Sequence, residues 1–137
     1  MSNKSKGFKL PAALAGELAL SDIGTVDTYG KMPWLALTVK NTHATQALTD
    51  FAVLVKNSSD GEWSTVWSDS DWATAANFRD GSWIGTSDTT SALINVLPAG
   101  EWCTLILFVG PAYAVKFQAK DGAGTATIEI NGHAAGE

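Results

Sequence analysis

The chain has 137 residues, six of them Trp, with one Cys, 17% charged residues and a net charge of −5. A single domain is the default at this length, and such a chain buries about two-thirds of the surface its unfolded form exposes, so neither a disulfide framework nor a structural metal is required. The low charged share excludes a coiled coil or a disordered tail, and the lack of about 20 consecutive apolar residues excludes a helical membrane span.

Charge is distributed unevenly along the chain. Residues 1–16 contain Lys4, Lys6 and Lys9 and no acid, which leaves the remainder at a net −8. We read 1–16 as an extended N-terminal arm and 17–137 as a single sandwich domain. Lys4, Lys6, Phe8, Lys9 and Leu10 are the candidate docking residues of the arm toward an acidic partner surface, against the plainer reading of a solvated terminus. Pro11, Gly16 and Glu17 interrupt the apolar stretch after the basic start, so no signal-peptide h-region is expected and we expect synthesis and folding in a cytoplasm.

From there on the pattern is period two, with β-branched and aromatic residues bounded by Gly, Asn, Asp and Pro. Residues 17–26 form a weak strand candidate. Residues 33–41 place Leu35, Leu37 and Val39 on one face, and 48–56 place Phe51, Val53 and Val55 on one face. The Asn57–Gly61 stretch tolerates φ > 0 and predicts a hairpin to a strand at 62–67, with Trp63, Thr65 and Trp67 sharing a face. Residues 68–83 are irregular, with a short helical turn under an Asp71 N-cap, and 87–96 is a further strand candidate. Residues 102–109 are apolar on both faces and predict a central buried strand; 113–119 and 125–131 alternate cleanly. The sum is an all-β, antiparallel sandwich of about seven or eight strands, jelly-roll or Ig-like, preceded by the arm.

No motif for catalysis, a cofactor or a metal emerges, and we expect no enzyme. His43, His133 and Cys103 lack zinc-ligand spacing. Cys103 lies in the most apolar segment, where cysteine behaves as a small hydrophobe, and no nucleophile elbow or phosphate loop is present. Asp69, Asp71 and Asp80 could offer oxygens to a calcium ion, yet Ala73 and Thr74 stand where an EF-hand loop needs a ligand and a Gly, so solvated turn acids are the commoner explanation. Nucleic acid is excluded as a partner because the acids between Asn57 and Glu101 are opposed by Arg79 alone.

The tryptophans are the strongest sign of contact with another molecule. Trp34 and Trp102 fall in apolar strands and are expected in the core or its rim. Trp63, Trp67, Trp72 and Trp83 cluster in the polar middle of the chain, where they suit a protein interface, a stacked sugar ring, or closure of the open end of the sandwich.

The run from Val39 to Lys56, then Asp60-Gly-Glu-Trp63, Leu97-Pro-Ala-Gly-Glu-Trp102, Ala112–Ala119 and Gly124–Ile128, resembles the small β-sandwich head decoration, or cement, proteins of tailed-phage virions. The likeness spans roughly Leu35 to Gly132. It implies attachment to the major capsid protein on the outside of the shell, stabilisation against internal pressure, self-association as a homotrimer, and an arm reaching over neighbours; it brings no catalytic motif. A carbohydrate-binding module, taking a surface glycan on the exposed tryptophans, is the rival from a different class.

Overall fold

The computed structural model describes residues 5–15, 21–43, 45, 47–48, 50–68, 83–86, 97–120 and 125–136, with the backbone alone described at 11–15, 21, 83–86 and 125–127. Alternation decides which face each strand buries. In β3 (Trp34–Asn41) Leu35, Leu37 and Val39 are fully buried while Trp34, Ala36 and Thr38 are half-buried and Lys40 is exposed. The same rule turns Cys103, Leu105 and Leu107 of β7 (Trp102–Phe108) inward, and Val115, Phe117 and Ala119 of β8 (Ala114–Lys120). The other described strands are β1 (Ser5–Ala15), β2 (Ser21–Asp27), β4 (Asp50–Lys56), β5 (Ser64–Trp67), β6 (Trp83–Thr86) and β9 (Thr125–Ala135).

They form a five-stranded sheet, β1-β9-β3-β7-β6, facing a four-stranded sheet, β2-β8-β4-β5, antiparallel throughout. The chain is a rolled hairpin. β1 pairs β9, β2 pairs β8, β3 pairs β7 and β4 pairs β5, and successive pairs alternate between the sheets. That winding is a jelly roll of eight strands, with β6 added at the outer edge of β7. An Ig-like order would place the first two strands in one sheet, and here β1 and β2 lie in different sheets.

The core lies between the sheets. Phe51 and Phe117 stack with ring centroids 6.1 Å apart, and Phe117 stacks on Phe8 of β1 at 5.9 Å, so one aromatic row ties the sheets together. β9 and β3 approach so closely that a Cβ at Gly132 would fall 2.7 Å from Leu37 Cα, which only glycine avoids. At one end, buried Asn41 fixes two loops: its Nδ2 donates to Leu97 O (3.1 Å), and its Oδ1 accepts from the His43 backbone (3.0 Å). At the other end, buried Thr28 donates its hydroxyl to Ala112 O at 2.6 Å.

Two expectations are corrected. Residues 5–15 do not form an arm outside the sandwich; they are its first strand, paired along its whole length from Ser5↔Ala135 to Ala15↔Thr125. Half-buried Phe8 and Leu10 pack on the core and draw the segment in. Trp83, expected in an irregular segment, opens strand β6. The helical turn near Asp71 and the strand candidate at 87–96 lie outside the described residues. Among the described residues no helix is long and apolar enough to cross a membrane.

Candidate docking surface

The tryptophans divide differently from the sequence reading. Trp67 is 1% exposed and belongs to the core, its indole Nε1–H reaching Phe108 O at 3.3 Å. The cause is a β-bulge: Thr65 pairs Leu54 and Trp67 pairs Val53, leaving Val66 as the extra residue. That one-residue slip turns Trp67 onto the inward face that Val53 occupies, so Thr65 and Trp67 do not share a face. Trp102, expected in the core or its rim, is 39% exposed. Trp34 is half-buried and meets Phe108 edge-on at 5.0 Å.

Trp63 lies just before β5, half-buried, with Lys116 Nζ 4.8 Å and Lys56 Nζ 5.1 Å from its ring centroid. Ammonium groups over an indole are attracted by its negative face. Lys116 also pairs with Asp22 at 3.5 Å, and Asp22 accepts from Gln118 Nε2 at 2.7 Å. The Trp63 ring is thereby held by the protein's own cations. Trp72 lies outside the described residues, and of Trp83 the backbone position alone is described, as register partner of Ile106. Asp69, Asp71 and Asp80 also lie outside the described residues, and among those described no group of His, Cys, Asp and Glu could hold a metal ion.

The outward residues of the five-stranded sheet form a surface that sequence reasoning missed. Register sets its rows. Trp34 lies between Ala135 and Phe108; Ala36 between His133 and Ile106; Thr38 between Asn131 and Thr104; Lys40 between Glu129 and Trp102. Gly7 of β1 continues the second row beyond His133, and Lys9 the third row beyond Asn131. One half of the face is thus mostly apolar, with Ile106 38% exposed and exposed His133 among its residues. The other half is polar: Thr38 and Thr104 share a hydroxyl contact at 3.3 Å, Asn131 Nδ2 donates to Glu129 at 2.8 Å, and Lys9 lies 3.6 Å from Glu129. The Asn131 hydrogen bond, followed by Lys9 and Lys40, holds the Glu129 carboxyl below its usual range. The signal was present in the sequence, since an outward set of Trp102, Thr104, Ile106 and Phe108 is what makes that strand apolar on both faces.

The expected docking residues of the first segment are partly on this surface. Lys9 belongs to it through Glu129, whereas Phe8 and Leu10 face the core. Lys6 sits at the end of the sandwich, its Nζ 6.0 Å from the Tyr29 ring. Tyr29 is 53% exposed and meets Tyr113 edge-on at 5.4 Å. Its φ of 52° puts a non-glycine residue in the left-handed region, held there by its backbone N–H donating to Tyr113 O (2.8 Å) and by Gly30 N–H donating to Ala112 O (2.8 Å). The Asp27 carboxylate beside it raises the Tyr29 phenol above its usual value. Lys4 lies outside the described residues.

No protein-family model matches this chain, and no curated protein matches it. Among solved structures, the crystal structure of SPBc2 prophage-derived protein YomS is similar over 98% of this chain and 96% of that chain, at a TM-score of 0.49 and 12% sequence identity.

Proposed function

We propose that this chain is a virion structural protein that binds the outer surface of a phage capsid through the outer face of its five-stranded sheet, stabilising the shell as a decoration protein. The observation that carries the reading is the mostly apolar half of that face, where Trp34, Ala36, Ile106 and Phe108 lie side by side by register. Five strands of 11, 11, 8, 7 and 4 residues, about 3.3 Å per residue and about 4.8 Å apart, offer about 600 Å² per partner across the whole face, enough to clear the roughly 1,000 Å² total of a specific contact. Aromatic residues supply most of the energy in such contacts, and many copies on one shell let modest contacts hold firmly. The likeness of the 39–56, 97–102 and 112–119 segments to decoration proteins supports the same reading, with the major capsid protein as partner.

Co-sedimentation with tailed-phage capsids stripped of this protein tests it. Wild type should pellet with the shells and Ile106→Glu, with an unchanged circular-dichroism spectrum, should stay in the supernatant. Equal pelleting of the two, or no pelleting of wild type, overturns the reading. A glycan-binding role is the second reading, favoured by one observation: exposed Trp102 has Lys40 as register partner and Thr104 two positions on, the mix of flat ring and polar groups that suits a sugar. Retention on a polysaccharide column that Trp102→Ala abolishes would select it over capsid binding.

A further inference from the structure

A sheet edge is a template for pairing with another chain, and proteins blunt their edges by keeping them short, bulged or charged. Four edges end the two sheets here. β5 and β6 are four residues long, carry no charge, and β5 is bulged as well. β2 is bulged at Ile23, between Asp22 and Gly24. β1 differs from all three: eleven residues long and paired to β9 without a register shift. Charge separates the edges further. β1 carries Lys6 and Lys9 and no acid, and β2 carries Asp22 and Asp27 and no base.

These two oppositely charged edges lie on the same flank. Leu10 of β1 packs on Gly24 of β2 so closely that a Cβ at Gly24 would fall 2.9 Å from Leu10 Cδ2. They run in opposite directions, because Lys6 near the start of β1 and Asp27 at the end of β2 both approach Tyr29. We propose that this flank is the contact between two copies of the chain, related by a twofold axis parallel to the strands, with β1 of each copy adding antiparallel to β2 of the other.

The arrangement follows from the geometry already described. A twofold along the strands exchanges the two sheets and keeps strand directions, so each basic edge meets an acidic edge of the second copy and both contacts form at once. It also keeps ends together, so Lys6, on the side of β1 that carries Phe8 and Leu10, comes level with the partner's Asp27, while Lys9 is on the outward side. Along β1 Lys9 lies three residues from Lys6, and along β2 Asp22 lies five from Asp27, one of which the Ile23 bulge absorbs. Lys9 therefore arrives within one position of the partner's Asp22. The pairs these groups make within one copy, Lys9 with Glu129 and Asp22 with Lys116, have Lys9 and Asp22 side chains 64% and 62% exposed. Exposed pairs of that kind are weak enough to share or exchange. Pro11 has no N–H to offer, so it limits how far pairing can extend along β1. The contact shares Lys9 with the polar half of the capsid-binding face, whereas Lys6, Asp22 and Asp27 lie outside that face.

Light scattering on the full chain at low ionic strength tests the proposal. Wild type should have twice the mass of one chain, and the double reversals Lys6→Glu with Lys9→Glu, and Asp22→Lys with Asp27→Lys, should each be monomeric because like charges then face each other. Mixed in equal amounts, the two reversed proteins should regain the dimer mass, since every basic edge again meets an acidic one. Should the Asp22 change impair folding, as judged by thermal unfolding, the single reversals Lys6→Glu and Asp27→Lys give the same mixing experiment. A monomeric or trimeric wild type, reversed variants that remain dimeric, or a mixture that stays monomeric overturns the proposal. Capsid co-sedimentation of the Asp22→Lys, Asp27→Lys protein, whose changes lie on the other sheet, keeps the two readings apart.

Discussion

Two buried residues show how one side chain is committed by its surroundings. Cys103 is fully buried, and burial pushes its thiol up to about 12, because a thiolate in apolar surroundings loses its hydration. Since the thiolate is the nucleophile, native protein at pH 8 should leave a thiol reagent unconsumed, and one equivalent should react once denaturant is added. Asn41 is polar and fully buried, with its amide donating to Leu97 O and accepting from the His43 backbone. Asn41→Ala removes the acceptor of the His43 N–H and one of the two donors to Leu97 O from a buried site, and should cost about 1–3 kcal/mol, read as a lower urea midpoint at unchanged slope. Trp67 teaches the complementary lesson: a polar neighbourhood in sequence did not mean exposure, because a bulge next to it altered the face it occupies.

Strands carry their own electrostatics. On β9 the Glu129 carboxylate is anchored by Asn131 and faces Lys9 on β1 and Lys40 on β3, and its folded pKa is depressed. A group whose folded pKa is lowered stabilises the fold above its unfolded pKa and loses that contribution as pH falls through the folded value. Glu129→Gln should therefore melt below wild type at neutral pH, with the gap closing as pH drops below the ordinary carboxylate range. A constant gap across that range would show that the charge is not what matters. β1 was legible as a basic segment with Phe8 and Leu10 in it, yet not as a strand. Pro11 and the small residues around it break the apolar alternation, and an edge strand tolerates proline where a central one does not.

For the whole molecule, the rolled hairpin joins the ends of the chain: Ser5 lies opposite Ala135, and the last strand is clamped between β1 and β3. Contacts between residues so far apart in sequence must be paid for in loop-closure entropy before they stabilise anything. Refolding from urea, followed by the fluorescence of buried Trp67 and its fellow tryptophans, should take milliseconds to seconds, as for other all-β sandwiches. Refolding in microseconds would contradict a nucleus built on such pairings. The two outward surfaces are products of the same winding. It exposes the outer face of β3 and β7, and it brings a basic and an acidic edge to one flank.

The sequence alone determined the strands at 34–41, 50–56, 114–120 and from 125; at 34–41 and 116–120 burial of every second residue leaves a period that no tertiary contact needs to reveal, while at 50–56 the structure buries both faces from Phe51 to Val55. It determined the sandwich class and the burial of Cys103 for the same reason. The tertiary structure alone decided between jelly-roll and Ig-like winding, since strand order depends on which edges meet and not on any local pattern. It also decided which tryptophans face outward: Trp102 is exposed because it lies on the outward side of its sheet, and Trp67 is buried because a single bulged residue reverses the alternation. Face and edge are properties of pairing, and pairing is written between distant segments, so composition and period within one segment could not contain them.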